Sequence, residues 1–338
     1  MCGIMMYAHH ASANNGSESA TMNRRDFIQT AALAGLATPW STAHALTQNA
    51  TFGRQSTAMQ VTEGLNLTGL TAVVTGCNSG IGYETMRVLA LRGAHVIGTA
   101  RTLEKGREAC SSVRGKATPV VLELTDFDSI VACADKINAM NAPLDMLILN
   151  AGIVIEKFEQ AQGLEKQFVV NHLGHFILTN RLLERVQDAR QGRVVVVGSG
   201  SHRRAPVGGI QFDSLSGEGW NKLGYEHSKL ANVLFSRELA KRLHATRATS
   251  NCANPGHTRT NALRYVSAKP AKSAKTAEQG AATICYVAAH PSLKTISGEY
   301  FADCNPAEPS AYAKDHAMAA RLWEVSTELT RKYLPKTR

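Results

Sequence analysis

The chain lacks the features that mark several large function classes. Its seven cysteines, Cys2, Cys77, Cys110, Cys133, Cys252, Cys285 and Cys304, are scattered, with no C-x-x-C pair and no zinc-type spacing. That excludes a disulfide framework or zinc ribbon and implies free thiols. No apolar run reaches membrane-spanning length, so no stable membrane insertion is expected. Aromatic residues make up only 6% of the chain. The formal net charge is +10, yet no Lys/Arg block and no basic stripe with interleaved aromatics concentrates it. The expectation is a generally basic surface and no nucleic-acid partner. His172 and His175 are spaced like metal ligands, but no third ligand accompanies them, so no metal is expected.

What is present is a globular composition: 338 residues, 44% hydrophobic and 19% charged. That is enough for one large α/β domain with extra segments, or for two small domains. Arg24 and Arg25 precede Asp26-Phe27-Ile28, then a short apolar run, Pro39 and Ala43-His44-Ala45. A basic start, a modest apolar stretch and an Ala-x-Ala site, in that order, read as an export signal of the twin-arginine type over 1–45. Met22 is then a candidate start. Residues 46–65 read as a polar linker, and 66–338 as the folded domain. The expected destination is the periplasm, with the cytoplasm as the alternative.

The domain opens on an apolar strand at 71–75, a turn rich in glycine and a helical pattern at 83–91. Strand, glycine turn and helix are the context a phosphate cradle requires. Gly76 permits the tight turn, Gly80 lets backbone approach a pyrophosphate, and Gly82 lets helix and strand pack closely. Further apolar strands follow at 95–100, 119–124 and 144–149, with a helical pattern at 128–140 between the last two. Near-continuous apolar strands alternating with helices predict a parallel sheet buried on both faces. A NAD-specific site carries an acid about 20 residues past the loop, at the end of the second strand. Here Arg101 stands there, a group suited to a 2′-phosphate. NADP is therefore expected rather than NAD.

The second half supplies proton-transfer chemistry. Tyr225-Glu226-His227-Ser228-Lys229 opens an amphipathic helical run, which puts Tyr225 and Lys229 one turn apart on one face. An ammonium beside a phenol stabilises the phenolate, so the Tyr225 pKa is expected below its ordinary value of about 10. Such a group can exchange protons near neutral pH, as alcohol–carbonyl interconversion needs. A strand at 193–197 leads into Gly198-Ser199, and a long Gly- and Pro-bearing loop at 202–219 separates it from Tyr225. A loop of that length beside Ser199 is a candidate border of the substrate site.

Thr75-Gly76-x-x-x-Gly80-Ile81-Gly82, Asn150-Ala151-Gly152, Asn171, Ser199, Tyr225-x-x-x-Lys229 and Pro255-Gly256 occur in this order. Together they resemble the short-chain dehydrogenase/reductase superfamily, from about Gly69 to the C-terminus. The text around Asn171, that following Lys229 and that at Ser297–Cys304 is most similar to the retinol dehydrogenase and WW-domain oxidoreductase group. The resemblance implies a single Rossmann-like, doubly wound parallel sheet with helices on both faces. It implies an NADP-dependent oxidoreductase moving hydride between nicotinamide and an alcohol, aldehyde or ketone. Tyr225 would be the general acid/base and Lys229 would lower its pKa and hold the nicotinamide ribose. Ser199 would bond the substrate oxygen, and Asn171 would hold a relay water. Gly76, Asn78, Ser79, Gly80, Ile81, Gly82, Arg101, Glu123, Leu124, Asn150, Ala151, Gly152, Tyr225, Lys229, Pro255, Gly256 and Thr260 would line the cofactor. Pairing through the long helices, as homodimer or homotetramer, is a family habit.

The chain also departs from the family pattern. It has Gly198-Ser199 where relatives have two serines, with Ser201 as a fallback for the same oxygen. Glu123 stands for the adenine-contacting Asp, with Asp126 nearby. Residues 261–275 are polar and shorter than the apolar segment that covers the substrate in the retinol dehydrogenases, which weakens any transfer of retinoid specificity. A dinucleotide-binding sensor or partner protein with little turnover is the alternative function. Trp220, Trp323, Tyr300 and Phe301 are expected to pack rather than react.

Overall fold

A computed structural model describes residues 51–220, 222–260 and 273–336. The leader expected over 1–45, the first residues of the linker and most of the polar run 261–275 lie outside the described residues. Eight strands form one sheet in the order β10-β9-β8-β7-β4-β1-β2-β3. They are β1 (Thr71–Val74), β2 (His95–Ala100), β3 (Lys116–Val121), β4 (Met146–Leu149), β7 (Arg193–Val197), β8 (Thr249–Asn254), β9 (Tyr300–Ala302) and β10 (Asn305–Pro306). The small strands β5 (Gln160–Ala161) and β6 (Leu164–Glu165) pair only with each other. Every contact in the large sheet is parallel except β10 on β9. All residues of β1, β4 and β7 are buried, as expected of strands covered on both faces. The sheet runs from β1 outward through β2 and β3 on one side and through β4, β7 and β8 on the other. The order therefore reverses between β1 and β4, and a crevice opens at their carboxyl ends.

The helices are α1 (Ala58–Val61), α2 (Gly80–Leu91), α3 (Leu103–Ser111), α4 (Phe127–Asn138), the single turn α5 (Lys166–Phe168), α6 (Gly174–Asp188), α7 (Gly224–Arg242), α8 (Ala277–Ala289) and α9 (His316–Thr330). Local chemistry sets several starts. Asp126 caps α4 through the amides of Asp128 and Ser129, and Thr276 and Gln279 form a capping box on α8. The third strand begins earlier and ends earlier than its apolar run implies. Leu122 N still donates to Ala100 O at 2.9 Å, and beyond it the chain turns, with the Glu123 carboxylate accepting from Thr125 N and Oγ1.

The polar stretch expected to be a linker is, from residue 51 onward, a packed strap. Ala58 and Val61 are buried, and Phe52 meets the rings of Tyr286 and His290 edge-on at 5.9 and 6.0 Å. Asn305 Nδ2 donates to Phe52 O at 3.0 Å. Average polarity concealed three well-placed apolar anchors.

At the other end, α9 lies on α6 and α7. Trp323 stacks on Phe235 at 5.8 Å and meets Phe176 edge-on at 4.9 Å, and the Arg242 guanidinium sits 4.2 Å over its ring. The patch of α6 and α7 beneath α9 is thus covered by the chain itself and is not open to a second copy. Leu322, 1% exposed, belongs to the shared core. Leu322→Ala should cost about 2–5 kcal/mol in urea unfolding. A loss under about 1 kcal/mol, the range of surface substitutions, would mean that α9 is not part of the cooperative core.

Candidate active site

The loop after β1 is shaped by contacts that only glycine allows. Gly76 has φ +70°, and a Cβ there would sit 3.0 Å from Ala151 Cα. At Gly82 a Cβ would lie 2.3 Å from Gly76 O and 2.4 Å from Asn150 Nδ2, so any side chain would push α2 off the sheet. Asn150 Nδ2 donates to Thr75 O at 2.9 Å, and Ala151 N to Thr75 Oγ1 at 2.9 Å, lacing the ends of β1 and β4 together. Ser79 precedes α2 without giving it a side-chain cap. The first amides of α2 are therefore left for another acceptor.

A cavity of about 320 Å³ lies over this loop. Gly76, Asn78, Ser79, Gly80, Ile81, Gly82, Arg101, Glu123, Leu124, Asn150, Ala151, Gly152 and Thr260 all line it, as their motif positions imply. Arg101 is exposed at the end of β2, and its guanidinium forms no ion pair among the described residues. Thr99, Thr125, Lys166 and Val170 also line the cavity; no motif marks them, because folding alone brings them there. Uncapped helix amides, a glycine cradle and a cation at the rim fit a dinucleotide with its phosphates on α2.

A second cavity, of about 600 Å³, shares Ile81, Asn150, Gly152, Ile153 and Thr260 with the first. Ser199, Tyr225, Lys229, Pro255 and Gly256 line it. Ser199 is extended, at φ −161°, and its Oγ accepts from Ser201 N at 3.1 Å. Ser199 and Tyr225 line the same cavity, and Ser199 favours the charged form of the Tyr225 phenol. The residue before it is glycine because a Cβ at Gly198 would lie 2.5 Å from Cys252 Sγ, which accounts for the departure from two serines. The fallback Ser201 reaches the same cavity, but its Oγ accepts from Arg204 Nη2 at 3.0 Å, and Arg204 pairs with Glu226 at 2.9 Å.

Lys229 is buried, and its Nζ donates to Val197 O at 3.0 Å, a carbonyl shared with Asn232 at 3.1 Å. Nζ lies 5.6 Å from the Tyr225 ring centroid. Burial lowers the Lys229 pKa to about 8. Burial also raises the pKa of the half-buried Tyr225, against the opposing pull of the Ser199 hydrogen bond. The expected lowering of the phenol is thus reversed in this structure. The ammonium is directed at Val197 O, and loss of water outweighs the opposing pulls of Ser199 and Arg204 on the phenol.

Asn171 is fully buried in a five-residue π-helical segment, Val169–Leu173, between α5 and α6. Its Oδ1 accepts from Ile153 N at 2.8 Å, and its Nδ2 donates to Ile153 O at 3.1 Å and to Ser228 Oγ at 2.9 Å. The amide thereby ties the loop after β4 to α7, beneath the cavity that holds Tyr225. His172 and His175 are spent elsewhere: His172 Nε2 meets Ser326 Oγ at 2.8 Å, and His175 Nε2 meets Thr75 Oγ1 at 2.9 Å. The long loop 202–219 reaches the site through Arg204. Two buried histidines fasten it. His202 Nδ1 bonds Ser199 O at 2.6 Å, and His227 Nε2 accepts from Gln211 N at 2.9 Å while stacking on Trp220. Sequence reasoning missed both, although each sits within three residues of a motif residue.

Comparison with known proteins agrees with this geometry. The family described as short chain dehydrogenase matches residues 70–271. Short-chain dehydrogenase TIC 32 A, chloroplastic, of Brassica napus is 37% identical over 300 residues, covering 82% of this chain and 94% of its own. Human retinol dehydrogenase 12 is 42% identical over 279 residues, 78% and 87% of the two chains. Among solved structures, an uncharacterised protein from Mycobacterium paratuberculosis superposes with TM-score 0.68 at 34% identity, over 82% of this chain and 98% of its own. A short chain dehydrogenase from Escherichia coli CFT073, complexed with NADPH, superposes with TM-score 0.58 at 26% identity, over 70% and 96%. Fold, motif order and relatives converge, and the chain belongs to the short-chain dehydrogenase/reductase superfamily of oxidoreductases.

Proposed function

We propose that the protein is an NADP-dependent alcohol dehydrogenase or carbonyl reductase with Tyr225 as its proton donor and acceptor. The observation that carries this reading is the convergence of Ser199, Tyr225 and Lys229 on one cavity that shares its wall with the dinucleotide cleft, with the Lys229 ammonium 5.6 Å from the Tyr225 ring. The bound nicotinamide would supply or accept the hydride. Two hydroxyls facing one cavity can bond a single carbonyl oxygen, Ser199 stabilising the charge that develops there. A phenol kept protonated by burial is in the correct state to donate the proton in the reductive direction. Lys229 places a cation below that phenol, and Asn171 holds the surrounding backbone still. A binding protein without turnover has no need of this set together.

The Arg101 guanidinium, at the end of β2 and without an ion pair among the described residues, supports NADP over NAD. The E. coli structure that carries NADPH adds to that support. The cavity around Tyr225 is rimmed by Glu156, Arg204, Lys222, Glu226 and His257. That charge favours a polar carbonyl over a long apolar polyene.

Tyr225→Phe, assayed by NADPH oxidation across aldehydes, ketones and quinones, should lower turnover about 10²- to 10⁴-fold with cofactor affinity kept. Near-full activity would remove Tyr225 from this role. Wild-type protein that binds NADPH tightly and turns over none of the panel would favour the sensor reading. Arg101→Ala should raise the Michaelis constant for NADPH about 10- to 100-fold, the worth of a lost charge-assisted bond. Its value for NADH should hardly move; equal effects would sink the NADP assignment. For localisation we propose twin-arginine export. Replacing Arg24 and Arg25 by Lys should trap the protein in the cytoplasm on cell fractionation, and unchanged distribution would count against the leader.

A further inference from the structure

Lys275 is a buried cation outside the proton-transfer set. Its side chain is 2% exposed, and its Nζ donates to Asp303 Oδ1 at 2.6 Å. A buried ammonium is costly unless paired, so this bond fixes where the lysine sits. Asp303 and Cys304 both occupy the left-handed region, at φ 52° and 60°, where residues other than glycine are uncommon. The turn is held by Cys304 N donating to Thr283 Oγ1 at 3.1 Å. The strain therefore has a product: it presents the Asp303 carboxylate to Lys275.

The other contacts of Lys275 lead to the cavity that holds Tyr225. Lys275 N donates to His257 O at 2.8 Å, and Lys275 O accepts from Arg259 N at 2.9 Å. A Cβ at Gly256 would meet Lys275 Cε at 3.2 Å and Nζ at 3.4 Å, so the lysine stem lies directly against that glycine. Pro255, Gly256, His257, Thr258 and Thr260 are the wall of the cavity, and Thr260 also faces the dinucleotide cleft. Among the described residues, the side-chain bonds within the wall are Gly256 N to Asn254 Oδ1, and the Thr258 hydroxyl to the carbonyls of Pro255 and Gly256. Among the described residues, the one β-bridge that supports it runs from Thr258 to Lys275 itself.

We propose that Lys275 is a positioning residue, latched to Asp303, that holds residues 255–260 against the nicotinamide end of the cofactor. It touches neither substrate nor reacting atoms. It acts through the wall it braces, and the wall sets how the nicotinamide half is seated. The proposal rests on the dinucleotide reading of the two cavities.

The test separates the two halves of the ligand. NADPH spans both cavities, whereas 2′,5′-ADP carries only the adenosine half and reaches only the cleft over α2. Full-length Lys275→Met keeps the stem and removes the charge. By calorimetry it should weaken NADPH about tenfold and leave 2′,5′-ADP unchanged, with turnover lowered further by misplacement of the reacting half. Asp303→Asn, at a half-exposed carboxylate, should show the same split in milder form, and it serves if Lys275→Met does not fold. Equal weakening of both ligands would assign Lys275 a merely structural role and overturn the latch; no change in either would overturn it as well. Wild-type protein that binds no nicotinamide dinucleotide would instead overturn the reading of the cavities.

Discussion

The contact on which the site depends is the approach of α2 to β1 at Gly82. A methyl group there would overlap the Gly76 carbonyl and the Asn150 amide, so helix, first turn and fourth strand meet only because position 82 has no side chain. From that meeting follow the direction of the α2 amides, the lacing of Thr75 to Asn150 and Ala151, and the crevice where the strand order reverses. Ile81, Asn150, Gly152, Ile153 and Thr260 then face both cavities. The cleft over α2 and the cavity lined by Tyr225 are two sides of one packing solution.

Around this contact the chain places buried cations where a main-chain carbonyl or carboxylate can receive them. Lys229 meets Val197 O, and Lys275 meets Asp303. Burying an ammonium is tolerated only with such partners, and each bond also fixes a stretch of backbone beside the cavity. The depressed pKa of Lys229 follows from the same burial. Tyr225 shows the complementary effect: burial favours its neutral form.

Much of this was legible in the sequence because the motifs are short and their physics is local. A glycine turn between apolar strand and helix, and a Tyr-x-x-x-Lys spacing, need little more than secondary structure to acquire meaning. The reversed shift of the Tyr225 phenol was not legible, since spacing places Lys229 one turn away but does not say where its ammonium is directed. Asn171 stood out in the sequence by its motif, but its bonds to Ile153 and Ser228 did not. The strap over α8 escaped notice because Phe52, Ala58 and Val61 are diluted in polar text. Lys275 escaped for the opposite reason: in a run with Lys269 and Lys272 it looked like one more solvated charge, and only tertiary contact with Gly256 and Asp303 sets it apart.

The same distinction bears on substrate. The chain is similar to retinol dehydrogenases over most of its length, and on the proposed reading the glycine loop, Asn171 and the helix of Tyr225 would serve chemistry common to any carbonyl. Specificity belongs to the walls. Here the described walls carry Glu156, Arg204, Lys222, Glu226 and His257, and Arg204 already binds both Glu226 and the Ser201 hydroxyl. A long hydrocarbon laid across that rim would strip water from charged groups without replacing their bonds. A substrate with hydrogen-bonding groups beside its carbonyl would meet partners instead. The proposed preference for polar carbonyls thus follows from what surrounds Tyr225, whereas the resemblance to retinoid enzymes follows from Tyr225 itself.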